Sequence, residues 1–323
     1  MKNCVMIALV VCALLPAAAW GQLPPAFCTM WGSYGTEPGQ FDCPDGVAVD
    51  ADGNVYIADF YNNRIQVFTH SGGYITQWGS HGAGPGQLDG PSGVAVDASG
   101  NVYVPEWYNH RVQVFTSSGG FISQWGGYGT APGQFDGPYD VAVDASGNVY
   151  VADAYNYRIQ KFTSSGGYIT QWGSYGKGSG QLGAPCGVAV DASGNVYVAD
   201  GFNRRIQKFT SNGEYITQWG SHGTGPGQLI YPHGVAVDAG GNVYVAEWYN
   251  HRIQVFTGNG DYITMWGSYG TEPGQFNGPW SVAFDVSGNV YVADMDNNRI
   301  QVFGCVPTTV QSTTWGKVKA MFR

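Results

Sequence analysis

The chain is poor in charge. Of its 323 residues only 11% are Asp, Glu, Lys or Arg, and just 14 are basic. A surface that neutralises nucleic-acid phosphates needs Lys and Arg, so nucleic acid is excluded as a partner. Disorder favours low hydrophobicity with high net charge; here 43% of residues are hydrophobic. Beyond the first twenty residues no apolar run is long enough to cross a bilayer as a helix. Signatures of a nucleophile elbow, a phosphate loop or a kinase are missing too. Cysteine is scarce, with six in all, and two of these (Cys4 and Cys12) fall in the N-terminal leader.

That leader reads MKNCVMIALVVCALLPAAAWGQ. Lys2 opens it, residues 4–15 are apolar, and Ala17, Ala18 and Ala19 offer a small-residue cleavage site. Residues 1–19 are expected to be a secretory signal peptide, with the mature chain starting near Trp20. Cleavage removes Lys2, so 13 basic residues face 23 acidic ones, a formal charge of −10. A secreted or periplasmic/cell-surface location follows, and the remaining cysteines meet an oxidising compartment.

Glycine (50 residues) and aromatics (15%) are abundant, and they recur in register. Trp-Gly begins at Trp31, Trp78, Trp125, Trp172, Trp219 and Trp266, each step 47 residues. Each unit reads as four strands: GVAVD (a), NVYVAD (b), RIQVF (c) and YITQWG (d). Short Gly-bearing turns join a to b and c to d. A longer connection, such as WGSYGTAPGQFDGP, leads from d to the next a. Four short antiparallel strands repeated six times predict an all-β fold, a six-bladed β-propeller. The last unit lacks strand d, and residues 27–32 (FCTMWG) supply it, pairing with residues 299–303 to close the ring. Cys28 and Cys305 flank that seam, and a disulfide between them is the favoured pairing; it would act by restricting the unfolded chain. Cys43 and Cys186, on opposite sides of the ring, are expected to be free thiols.

The motif P-x-G-V-A-V-D-A-S-G-N-V-Y-V-A-D-x-x-N-x-R-I-Q-V-F resembles the NHL repeat, over roughly residues 27–304. The expected organisation is a propeller at residues 20–304 and a tail at residues 305–323. The tail joins a polar linker to WGKVKAMFR, read as a sorting tag, a weak amphipathic segment or a frayed end. The resemblance implies an interaction or sensor module. Among secreted propellers that the chain resembles, an amidating lyase holds zinc through histidines and lactonases hold calcium through carboxylates.

Within the repeat, invariant letters read as frame. Asp59–Arg64, Glu106–Arg111, Asp153–Arg158, Asp200–Arg205, Glu247–Arg252 and Asp294–Arg299 are expected to tie strand b to strand c. Variable letters read as function. The residue before strand a runs Asp45, Ser92, Tyr139, Cys186, His233, Trp280, with six different side chains. After the b-strand carboxylate come Phe60, Trp107, Ala154, Gly201, Trp248 and Met295, and three places on Asn63, His110, Tyr157, Arg204, His251 and Asn298. All belong to the d–a and b–c connections, which leave the blades on one face. These residues, with Tyr108, Tyr155 and Tyr249, are expected to display aromatic chemistry to a protein, peptide or glycan. Packing of some rings between blades, or free variation of exposed loops, are the plainer readings. No catalytic residue and no cofactor are assigned, and a monomer is expected. The alternative is a metal-dependent lyase or lactonase with zinc or calcium at the channel mouth, for which Asp45, Cys186 and His233 are the candidate ligands.

Overall fold

A computed structural model describes residues 23–304. It contains six four-stranded antiparallel sheets. In blade 1 the strands are Pro44–Val49, Val55–Asp59, Arg64–Phe68 and Tyr74–Trp78. The others follow at the 47-residue step. Strands b and c are buried along their whole length, on both faces, because each sheet stacks between two neighbours. That is why VYIAD carries apolar residues at nearly every position instead of alternating. Strand d lies at the rim, and its residues range from exposed to half-buried.

The core is split into six clusters, one per blade interface. Tyr56 and Ile65 of blade 1 pack with Leu88, Val94 and Val102 of blade 2. The closing interface joins Phe41 and Val55 to Tyr291 and Ile300. Strand Phe27–Trp31 completes the last blade as expected, pairing Phe27 with Phe303 and Trp31 with Ile300. Closure leaves no open seam in the ring. Cys305, the nominated partner of Cys28, lies outside the described residues, as do residues 1–19, expected to be a signal peptide, and residues 305–323, the expected tail. Cys43 and Cys186 are free thiols.

Each tryptophan at the end of strand d packs onto the next blade. Trp125 meets Phe162 at 5.7 Å and covers the c–d turn at Gly166. Blade 2 departs from the pattern. Pro105 stands where the other blades have Ala and has no N–H to donate; the inner strand contracts to Ala95–Val96.

The carboxylate–Arg pairs reach further than the b–c turn. Asp59 is fully buried. It accepts from Arg64 Nε at 2.8 Å, Asn62 Nδ2 at 3.0 Å, Gln66 Nε2 at 3.1 Å and the Asp42 N–H at 2.8 Å. Arg64 then donates to the carbonyls of Thr36, Glu37 and Gln40 and to Gln77 Oε1. The clamp therefore holds the long d–a loop against strands b and c. Nε–carboxylate separations in the six blades run from 2.5 to 2.9 Å. Asp50 orders the opposite face, where its carboxylate accepts from Asn54 and the Tyr56 hydroxyl across the a–b turn.

Candidate functional site

Residues just before strand a converge on the axis. Asp45, Ser92, Tyr139, Cys186, His233 and Trp280 line one cavity of about 10 Å³, about the room one water needs. The sequence put this column on an open face. The structure places it as a plug instead: Asp45, Ser92, Cys186 and His233 are all buried, and only Tyr139 and Trp280 keep partial exposure. The reason is the ring itself, which points six equivalent positions at one another. The rings interlock: His233 stacks on Trp280 at 3.5 Å, and Tyr139 meets His233 at 4.8 Å and Trp107 at 4.6 Å. Below the plug the channel is walled by strand-a valines and alanines, with about 270 Å³ of space.

Burial dominates the electrostatics of the plug. It holds the Asp45 carboxyl well above the usual carboxylate range, and the neighbouring Asp140 charge adds to the rise. Asp140 is pushed up to about 7 by burial, against the backbone N–H groups of Val188 and Val141, which favour its ionised form. His233 is pushed down to about 3, and its Nε2 has no hydrogen-bond partner. Cys186 is pushed up to about 12. A structural zinc or calcium wants convergent oxygen, nitrogen or sulfur donors. Although Asp45, Cys186 and His233 share the cavity, no three His, Cys, Asp or Glu side chains among the described residues form a group that could hold an ion. The proposed ligand set does not fit a metal, and no chemistry is routed through one here.

Above the plug is an open basin of about 160 Å³. Its lining is Cys43, Asp45, Phe60, Tyr61, Trp107, Tyr139, Trp280 and Met295. Of the residues nominated from sequence, Asp45, Phe60, Trp107, Tyr139, Trp280 and Met295 are thereby brought together. Ser92, Cys186 and His233 lie in the plug. Trp248 packs on Trp280 at 5.5 Å and on Tyr249 at 4.5 Å, outside the basin wall. Ala154 and Met295 are buried rather than displayed. The third variable column is largely structural. Its residues adopt left-handed backbone, with φ from 51° to 58°. Asn63, His110, His251 and Asn298 accept an N–H from the following blade, as at Gly137 N–H to His110 Nδ1 (3.1 Å).

Tyr108, Tyr155 and Tyr249, named from the sequence, are 51–57% exposed in the b–c loops; Tyr61 at 58% and Phe202 at 54%, in the same loops, were passed over by sequence reasoning. Farther out, Tyr34, Tyr128, Tyr175 and Tyr269 are 69–71% exposed in the d–a loops. Their repetition made the outer four look like frame. The signal that could have found them is their place, in Gly-rich connections rather than in alternating strands.

Comparison with known proteins fits this architecture. The NHL repeat model matches residues 41–68, 88–115, 135–162, 229–256 and 276–303. The unit at 182–209, between the third and fourth matches, forms the same four-stranded blade. A search of curated proteins finds no match. Among solved structures, a structural-genomics protein of unknown function from Bacteroides thetaiotaomicron superposes with TM-score 0.69 at 18% identity, covering 87% of this chain and 76% of that one. A gluconolactonase from Xanthomonas campestris gives 0.61 at 14% identity, covering 82% and 86%. Virginiamycin B lyase from Staphylococcus aureus gives 0.58 at 18%, covering 86% and 88%. At these identities the likeness is one of fold. The matched repeats, the six blades and the closing strand together make this chain an NHL-repeat six-bladed β-propeller.

Proposed function

We propose that the chain is a secreted binding module that captures a protein, peptide or glycan on the face formed by the d–a and b–c loops. The observation that carries this reading is the concentration of half-exposed rings around a concave basin on that face. Rigid aromatic rings supply contact area at low entropic cost, and such anchors dominate interface energetics. The opposite face offers mainly short turns ordered by Asp50 and its equivalents. The same reading has the chain exported after cleavage near Trp20, monomeric, and with Cys28 bonded to Cys305. No helix among the described residues is long and apolar enough to cross a membrane.

The test is capture of a partner from the medium or envelope of the source organism, together with a glycan array. Replacing Tyr61, Tyr108 and Tyr155 by Ala should abolish capture while changing stability by less than about 1 kcal/mol, as surface substitutions do. Capture that survives the triple change refutes the face assignment. Zinc or calcium bound stoichiometrically near His233 in the purified protein would instead favour a metal-dependent enzyme.

A further inference from the structure

The basin contains a group that capture of a neutral ring does not require. Asp45 is 4% exposed, and it lines both the basin and the plug cavity. Among the described residues no hydrogen bond and no ion pair reaches its carboxyl group, and only burial and the Asp140 charge act on it. Its surroundings offer no cation; of the nearby donors, Ser92 Oγ donates to the Pro138 carbonyl instead and Trp280 Nε1 has no partner. Asp140 and Tyr139 approach from blade 3, Cys186 from blade 4, His233 from blade 5, and Cys43 from its own loop. His233 is held neutral by burial. The conserved-register arginines are spent on the clamps. A buried carboxyl without a partner is costly, and a positively charged ligand is what would relieve it.

The rest of the basin suits such a ligand. Phe60, Trp107, Tyr139 and Trp280 surround it, and the negative faces of aromatic rings attract cations most strongly where water is excluded. On the measure by which the plug cavity holds about one water, its 160 Å³ holds roughly ten to sixteen. That is ample room for a small head group. We propose that this basin is a subsite for an organic cation, an alkylated ammonium group seated among Phe60, Trp107, Tyr139 and Trp280 with the Asp45 carboxylate as counter-ion. This rests on the binding reading above and adds the charge of what enters. Burial holds the Asp45 carboxyl well above the usual carboxylate range, so a permanent cation seated beside it favours loss of its proton to solvent.

Calorimetric titration with choline and with its uncharged isostere 3,3-dimethylbutan-1-ol, at pH 6, tests this on the whole protein. Choline should bind about tenfold or more tightly than the isostere. Runs in two buffers of different ionisation heat should show proton release on choline binding. Asp45→Asn should erase both the preference and the proton release. If that variant fails to fold, the wild-type comparison decides alone. Equal binding of the two compounds, or no binding of either, overturns the proposal. None of these results touches the Tyr61, Tyr108 and Tyr155 experiment, so the capture reading stands or falls separately.

Discussion

Replacing Arg158 by Lys keeps the charge and removes the fork. In the folded protein all five guanidinium N–H groups are used. Nε donates to Asp153 at 2.7 Å; one terminal nitrogen donates to the Thr130 carbonyl at 2.7 Å and Gln171 Oε1 at 2.9 Å; the other donates to the Ala131 and Gln134 carbonyls at 3.1 and 2.8 Å. Lysine brings three donors on a flexible stem. At least two acceptors then lose a donor, and the Thr130 carbonyl and Gln171 Oε1 have no other protein donor to replace it. Each buried acceptor orphaned in this way costs about 1–3 kcal/mol, and those near the loop surface regain water and fall at the low end. The expected loss is about 2–4 kcal/mol, a large share of the ~5–15 kcal/mol typical of a folded domain. Guanidinium chloride unfolding of Arg158→Lys against wild type measures it. A difference below about 1 kcal/mol would show that the clamp is ornamental and that the loop holds itself. The sequence supplies its own control. In blades 5 and 6 the fifth acceptor is a methionine sulfur, Met265 or Met30 at 3.2 Å, in place of glutamine. Gln171→Met should therefore cost less than about 1 kcal/mol.

Two further outcomes follow from the same geometry. Gly166 has φ +86°, and a Cβ there would lie 2.6 Å from the Trp125 ring, whereas at Gly147, φ +82°, the nearest atom is 3.9 Å away. Gly166→Ala should lower stability by about 2–5 kcal/mol from backbone strain plus overpacking, and Gly147→Ala by only the strain of about 1–2 kcal/mol; equal melting losses would remove the tryptophan wedge from the account. The plug should also leave a mark on the pH dependence of stability. Asp140 keeps its proton in the folded chain up to about pH 7, while the unfolded group loses it near pH 4, so its contribution falls as pH rises through that window, by about 1.4 kcal/mol per unit. His233, neutral down to about pH 3, contributes the opposite slope up to about pH 6.5. Asp140→Asn should make the slope of the stability profile between pH 4 and 7 more positive by about 1.4 kcal/mol per pH unit, and an unchanged slope counts against an Asp140 acid held neutral by burial.

Much of the fold was legible because a repeat lets a chain be compared with itself. The 47-residue step located every strand, and the missing YITQW of the last unit located the closing strand at Phe27–Trp31. The Asp–Arg spacing of five residues marked the clamp, although its grip on the d–a loop carbonyls was not visible, since backbone acceptors leave no trace in side-chain letters. The site was read less well. Treating variable letters as displayed and repeated letters as structural picked out Phe60, Trp107, Tyr139 and Trp280, which line one basin. It misplaced Cys186 and His233, and it overlooked Tyr34 and its equivalents.

The sequence by itself determined the number of blades, their strands and the ends that meet, because alternation and turn chemistry act within a few residues of one another. Only the closed ring decided which side chains see solvent. Six positions equivalent in sequence point at a common axis and bury each other, so Asp45 and His233 face protein while the repeated tyrosines of the outer loops, far from the axis, face water. Exposure of that kind depends on where the other five copies stand, and no local pattern of letters carries that distance.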